Sequence, residues 1–201
     1  MKENELDAEV LVVTDEKQTK HKPSWLKFSY FQEIFIYFWI SSIIGHYLEV
    51  CWAYAKHLMG AQLWLPTMNT IVPLAVPYGL GAVAVVMLTW PLMKTRKLHM
   101  PAVFALNVFT TGAIEYFCAV IIVLLTGTNS YWNYSGMPFN LNGYTSLETS
   151  IGFGIAATVY LYYIYPFFKK TIDRLKKKHF RYIFWILFIT YAADLTYSLI
   201  K

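Results

Sequence analysis

Five long runs of apolar residues, separated by short polar segments, dominate the chain after its first 27 residues. The hydrocarbon core of a bilayer is crossed by about 20 helical residues, and each run reaches that length. The runs cover residues 31–54, 70–93, 100–125, 147–168 and 180–200. This pattern predicts an all-α fold class: a polytopic membrane protein with five transmembrane helices.

The first 27 residues differ from the rest of the chain because they are polar and nearly balanced in charge, with five Lys against six acidic residues. We expect 1–27 to be a flexible polar cytoplasmic tail and 28–201 to be one five-helix transmembrane domain. The first apolar run begins too late and is too long for a signal peptide.

Basic residues lie on alternate loops. The positive-inside rule assigns such loops to the cytoplasm, so the N-terminus is predicted inside and the C-terminus outside. The stretch 127–146 has no Lys or Arg and is predicted to lie outside. The basic residues of the predicted cytoplasmic segments are Lys20, Lys22, Lys27, Lys94, Arg96, Lys97, Lys169, Lys170, Arg174, Lys176, Lys177, Lys178 and Arg181.

The start of the second run is irregular, with Pro66, Pro73 and Pro77 followed by two glycines. Proline removes a backbone donor and interrupts a helix, and non-helical backbone at membrane depth must be buried in protein or line a wet cavity. Residues 60–78 are therefore either an outer loop with an interfacial segment or a re-entrant start of the second span.

The acidic residues in or at the ends of the runs include Glu49, Glu115, Glu148 and Asp194. Glu148 begins the fourth span on the outer side. At 1.5 Å per residue, the other three lie roughly 25, 22 and 21 Å from the cytoplasmic ends of their helices. Ionisable groups in lipid are costly and usually face the bundle interior. An outward-facing polar pocket for a cation, a proton relay or an amine-bearing ligand is one interpretation; interhelical hydrogen bonds are the other.

Helical spacing adds three polar residues to these acids. His46 lies three positions before Glu49, and Asn107 and Thr111 lie eight and four positions before Glu115. Residues three or four apart share a helix face, so each set is expected to face inward. His46 and Glu49 offer two ligands to a metal, and spacing supplies no third or fourth; no metal site or cofactor is predicted.

The composition agrees with a membrane protein. The chain is 57% apolar and only 14% charged, with a mean hydropathy of +0.40, whereas soluble domains carry about 25% charged residues. No basic patch interleaved with aromatic residues points to nucleic acid. The sequence has no P-loop, GxSxG or HExxH motif, so no catalytic residue is predicted and an enzyme is not favoured.

Several short strings resemble the family of CmpB-like type IV ABC-transporter permeases, small multi-pass proteins mostly of Firmicutes. These are W-N-Y-S at 132–135, F-N-L-N-G at 139–143, S-L-E at 146–148 and Y-P-F-F at 165–168, with Gly45, Glu49, Pro73, Y-G-L-G-A at 78–82, Glu115 and Tyr116 upstream. The resemblance covers roughly residues 35–170.

The chain departs from the family pattern at several positions. Asn133 replaces an Asp, Tyr144 an Arg and Tyr165 a His, and a second acid expected near Val123 is missing. The family's N-R-G before the proline stretch has only Asn69 as a counterpart. The resemblance is thus that of a distant member.

The resemblance implies the membrane subunit of a transporter in the bacterial cell membrane, served by a separate cytoplasmic ATPase. The basic hairpin formed by Lys169, Lys170, Arg174, Lys176, Lys177 and Lys178 would dock that ATPase. Trp132, Asn140 and Asn142 would form an outer lid. The ligand-binding set is then His46, Glu49, Asn107, Thr111, Glu115, Trp132, Asn140, Asn142, Glu148 and Asp194.

Two alternatives from other classes stay open. One is a membrane-embedded enzyme acting on lipid or cell-envelope intermediates at the outer leaflet, with His46 and Glu49 as its acid–base pair. The other is an accessory or sensor subunit that stabilises a partner. A homo-oligomer within the lipid bilayer is compatible with all three.

Overall fold

The computed structural model describes residues 28–60, 62, 71–129 and 131–200, except for the side chain of Leu199. The predicted tail and the prolines before Ile71 lie outside these ranges. The chain divides into two units at Gln32. The described part of the first unit is the initial turn of a helix, where the rings of Phe28 and Phe31 stack 6.2 Å apart; everything below belongs to Glu33–Lys201.

The described residues are almost entirely helical, which confirms the predicted all-α class. The helices are α1 (Phe28–Leu58), α2 (Val76–Arg96), α3 (Met100–Thr126), α4 (Leu147–Val159), α5 (Tyr165–Arg174) and α6 (Lys177–Ile200). A π-helical turn, Tyr160–Ile164, joins α4 to α5 without a break. A small antiparallel hairpin, β1 (Asn140–Leu141) and β2 (Thr145–Ser146), precedes α4.

Four helical segments among the described residues are long and apolar enough to cross a membrane. They are α1, α2, α3 and the continuous stretch from Leu147 to Arg174. The fifth predicted span does form a helix, α6, of 24 residues, but it is not one of these four. Five spans and the orientation of the termini stay predictions.

Helices α1 and α2 approach each other closely at two glycines. A side chain at Gly45 of α1 would overlap Tyr78 of α2, and one at Gly79 would overlap Ser42 and the backbone oxygen of Phe38. Small residues allow such close packing in membranes. The contact holds Tyr78 against the face of α1 that carries Glu49.

Helices α3 and α4 also pack through glycine. A Cβ at Gly154 would lie 3.0 Å from Cα of Val108, and one at Gly112 would lie 2.6 Å from Oγ of Ser150. The apolar core surrounds Tyr37, Val85, Val103 and Leu161, all at most 1% exposed.

The chain that leads into α2 lies beside the middle of α1. The backbone N–H of Ala75 donates to the carbonyl oxygen of Ser42 at 3.1 Å, and Ser42 is near the midpoint of α1. Asp194 of α6 accepts hydrogen bonds at Oδ1 from the N–H groups of Ile71 (2.6 Å) and Val72 (3.2 Å). These contacts involve residues 71–75; residues 61 and 63–70 of the proline-rich stretch lie outside the described residues, and both interpretations of the stretch stay predictions.

Candidate functional site

The segment 131–146 folds into a compact cap before α4. Its turn from Leu141 to Tyr144 is closed by a backbone hydrogen bond of 2.9 Å between these two residues. Asn142 and Gly143 have φ angles of 54° and 70°, the left-handed conformation that an Asn-Gly pair adopts in hairpins. The sequence N-L-N-G therefore specifies this turn locally.

The three predicted lid residues hold the cap together. The amide of Asn140 donates to the carbonyl of Met137 at 2.7 Å and accepts from the N–H of Gly143 at 3.0 Å. The indole of Trp132 donates to the carbonyl of Tyr144 at 2.8 Å. Asn142 lies on the outer surface and donates to the hydroxyl of Tyr116 on α3 at 2.9 Å, which joins the cap to the helix that carries Glu115.

Glu115 is the centre of the polar cluster beneath the cap. The residue is 5% exposed. Its Oε1 accepts a hydrogen bond from the hydroxyl of Tyr134 at 2.9 Å, and its Oε2 accepts from Thr145 at 2.6 Å and Thr149 at 3.3 Å. Buried carboxylates are tolerated when hydrogen bonds replace water, and here the cap and the first turn of α4 supply them.

A second carboxyl, that of Glu49, acts on the same cluster. Burial raises the pKa of Tyr134 above its ordinary value of 10.0, and the carboxyls of Glu115 and Glu49 and the phenol of Tyr78 raise it further. These four side chains are therefore close enough to interact electrostatically. Glu49 itself is half-buried. Among the described residues no hydrogen bond joins Glu49 to Glu115, so these two of the four predicted acidic residues are related through their common effect on the pKa of Tyr134.

The other two acidic residues are placed elsewhere. Asp194 is 4% exposed, and its carboxylate binds the backbone of Ile71 and Val72, as described above. Glu148 is exposed and lines an open apolar groove with Phe139, Leu147 and Ile151. These positions account for Asp194 as a structural anchor and separate Glu148 from the Glu115 cluster.

The remaining helix-borne candidates face inward, as their spacing predicts. His46 is buried, with its ring edge-on to that of Tyr47 at 5.5 Å. Thr111 donates to the backbone oxygen of Asn107 at 2.7 Å, and the amide of Asn107 donates to Thr158 on α4 at 3.1 Å. The polar stripe of α3 is thus buried along its whole length.

Four residues of the cluster were not predicted from the sequence, namely Tyr78, Tyr134, Thr145 and Thr149. One signal for the last was present: Ser146 and Thr149 form a capping box at the start of α4, a pattern readable as a helix start. Tyr78 and Tyr134 lie in strings that match the family pattern. No local rule connects either tyrosine to a glutamate on another helix.

The basic hairpin has one paired lysine and several exposed basic residues. Lys169 forms ion pairs with Glu33 of α1 (3.2 Å) and with Asp173 (2.7 Å). The remaining docking candidates, which are exposed or half-buried, are Lys170, Arg174, Lys176, Lys177 and Lys178. Within the part of the chain that the structure describes, no group of three or more His, Cys, Asp or Glu could hold a metal ion.

A family model described as "Putative ABC-transporter type IV" matches residues 36–199, which covers every helix except the start of α1. This match confirms the resemblance found in the sequence. Searches of curated proteins and of solved structures find no match to this chain.

Proposed function

Since the chain belongs to the type IV ABC-transporter family, we propose that it is the membrane subunit of a transporter that binds a cationic, amine-bearing ligand. The ligand would bind from the outer side, between α1, α2 and α3, beneath the cap of residues 131–146. We further propose five spans, with the N-terminus inside the bacterial cytoplasmic membrane and the C-terminus outside.

The observation that carries the proposal is the cluster of Glu115, Glu49, Tyr78 and Tyr134. Two carboxyl groups that act on one phenol supply negative charge in a part of the bundle shielded from water. Three hydroxyl donors stabilise the charge of Glu115. No hydrogen bond or ion pair of the Glu49 carboxyl is found among the described residues. A cation beside Glu49 would neutralise it.

The aromatic rings favour an organic ammonium ion. Ammonium groups are attracted both to carboxylates and to the faces of tyrosine rings, and Tyr78 and Tyr134 belong to the cluster. The ring of Tyr78 is itself held edge-on by Phe153 of α4, with centroids 5.4 Å apart. Tyr78 is therefore positioned from both sides, by Phe153 and by Gly45.

The exposed lysines and Arg174 of the hairpin would bind a cytoplasmic ATPase subunit through its acidic surface. Changing Lys176, Lys177 and Lys178 to Gln should remove ATPase activity that co-purifies with the protein. The same change at Lys94 and Lys97, on the other basic loop, is the control. Co-purification that survives the triple change would contradict docking at this hairpin.

Ligand binding is tested by the thermal unfolding of the purified protein in detergent. A ligand that binds only the folded state raises the midpoint. Methylammonium, choline, ethanolamine and spermidine are compared with sodium chloride at equal ionic strength. We expect at least one amine to raise the midpoint of the wild type, and Glu49→Gln and Glu115→Gln to lose that shift.

Glu148→Gln is the matched control, because this exposed carboxylate lies in the separate groove. It should keep the amine-dependent shift. The proposal fails if no amine shifts the wild type, or if all three Gln variants respond to amines as the wild type does.

A further inference from the structure

Buried polar side chains continue from Glu115 toward the cytoplasmic ends of the helices. Thr111 and Asn107 follow at one and two turns along α3, and Asn107 is hydrogen-bonded across to Thr158. All three are at most 9% exposed. In a bundle that otherwise packs Val, Leu and Tyr at this depth, a continuous polar stripe is costly.

Two atoms, one on this stripe and one on α2, carry unused hydrogen-bonding capacity. Oδ1 of Asn107 and Oγ1 of Thr89 are buried and have no hydrogen-bond partner among the described residues, and both side chains are 0% exposed. Each residue lies seven positions from the cytoplasmic end of its helix, at a depth of about 10 Å. Buried polar atoms of this kind are typically satisfied by an internal water molecule.

Polar contacts resume below this level. Ser41 donates to the hydroxyl of Tyr160 at 3.3 Å, and Tyr37 donates to Oε1 of Glu33 at 2.8 Å. Tyr160 begins the π-helical turn, a feature that is frequent at functional sites. Glu33, whose side chain is 18% exposed, is paired with Lys169 at the cytoplasmic end.

We propose that these groups form a proton path between Glu115 on the outer side and Glu33 on the cytoplasmic side. The path runs along Thr111, Asn107 and Thr158, then past Ser41 and Tyr160 to Tyr37, with water molecules bound at Asn107 and Thr89 bridging the gaps. This goes beyond the proposed ligand binding and shares only Glu115 with it.

Each transfer conserves protons. A proton leaves the Glu115 carboxyl for the hydroxyl oxygen of Thr111, one turn along α3, which releases its own proton to the next oxygen, and one proton arrives on the Glu33 carboxylate. Asn107 accepts and donates hydrogen bonds and orients water without changing protonation. The apolar side chains of Val85 and Val103, both 0% exposed, would exclude larger ions from the same passage.

The test reconstitutes the full chain into vesicles that contain a pH-sensitive dye. A potassium gradient with valinomycin makes the lumen negative and drives protons inward. We expect uptake above that of protein-free vesicles. Thr89→Val and Asn107→Leu should each slow it about tenfold, the rate effect of losing about one hydrogen bond at a barrier.

The effect of Thr89→Val is not expected to come from misfolding, because valine has the same shape as threonine and the change removes no hydrogen bond found among the described residues. Thr196→Val is the matched control, since that hydroxyl donates only to its own helix, at Ala192. Uptake no faster than in protein-free vesicles, or equal uptake in the wild type and Thr89→Val, overturns the path.

The two proposals fail separately. Thr89→Val should keep the amine-dependent thermal shift, because Thr89 lies well below the Glu115 cluster. Proton uptake without any amine-dependent shift would contradict the proposed ligand binding and support the proton path. An amine-dependent shift without proton uptake would support the proposed ligand binding and contradict the proton path.

Discussion

Glu115 owes its stability in the bundle to three hydroxyl donors that come from two different segments. Tyr134 and Thr145 lie in the cap, and Thr149 lies in the first turn of α4. A buried carboxylate that loses one donor regains no water, so each contact matters more here than at a surface. The same bonds tie the cap to α3.

Tyr134→Phe should therefore destabilise the folded protein. It removes one hydrogen bond to a buried carboxylate, and we expect the free energy of unfolding to fall by about 1–3 kcal/mol, measured by denaturation in detergent. Tyr131→Phe, at an exposed neighbouring position, should change little. Equal stability of the two variants would contradict the contact.

The phenol of Tyr134 should stay protonated at and below pH 10. Its pKa in the folded protein is raised above 10.0 by burial and by Glu115. The phenol therefore keeps its ability to donate the hydrogen bond below the unfolded-state pKa and loses it only above pH 10. Tyrosinate absorbance that appears below pH 10 in the wild type and is absent from Tyr134→Phe would contradict this.

Asp194→Ala should be more damaging than Asp194→Asn. Alanine removes the acceptor of the hydrogen bonds from the N–H groups of Ile71 and Val72, and a hydrogen bond to a charged group contributes about 1.5–3 kcal/mol. Asparagine keeps an acceptor oxygen of similar reach. The order of the two unfolding midpoints checks this, and equal midpoints would show that the contact contributes nothing.

The position of each residue along its helix predicts that Glu49, Glu115 and Asp194 lie at the same depth. Depth alone does not show that Asp194 has a different role, because its partners lie more than 120 residues away in a segment with no helical periodicity. Tyr134 escapes prediction for a similar reason: its contact with Glu115 depends on how the cap folds over α3.

At the level of the elements, the contact between α3 and α4 depends on one glycine of a pair. A Cβ added at Gly154 would meet the backbone of Val108, whereas one added at Gly152, two positions earlier on α4, would have no neighbour within 4 Å. Hydropathy predicts α4 as a span, and its small residues predict a packing face. Neither pattern tells which glycine makes the contact, and neither predicts the π-helical turn.

Gly154→Ala and Gly152→Ala are a matched pair. Gly154→Ala should lower the free energy of unfolding by about 1–3 kcal/mol, because the added methyl group forces the two helices apart. Gly152→Ala should be neutral or stabilising by up to about 1 kcal/mol, since alanine favours a helix. A reversed order in detergent denaturation would contradict the observed packing.

For the whole molecule, charge and hydropathy are the sequence features that predict the topology. The basic loops predict which ends of the helices face the cytoplasm, and the uncharged part of the stretch 127–146 folds into the cap over Glu115. The sequence leaves two alternatives for the path of the chain before α2, because proline content alone does not fix depth. The hydrogen bond between Ala75 and Ser42 places the last residue before α2 beside the middle of α1.

Reporter fusions test the topology. Fusions after Lys97 and after Arg181 should report the cytoplasm, and one after Asn142 should report the outside, as the positive-inside rule requires. A fusion after Lys201 should also report the outside if α6 crosses the membrane. A cytoplasmic signal after Asn142 would contradict both the orientation and a site open to the outside.

The most direct test of the central claim is chemical labelling of the carboxyl groups themselves. A membrane-soluble carbodiimide is applied to the reconstituted protein, and modified peptides are quantified by mass spectrometry with and without the amine that raises the unfolding midpoint. The amine should slow labelling of Glu49 and Glu115 and leave that of Glu148 unchanged. Labelling of Glu49 and Glu115 at the same rate with and without the amine would contradict a cation site at these two residues.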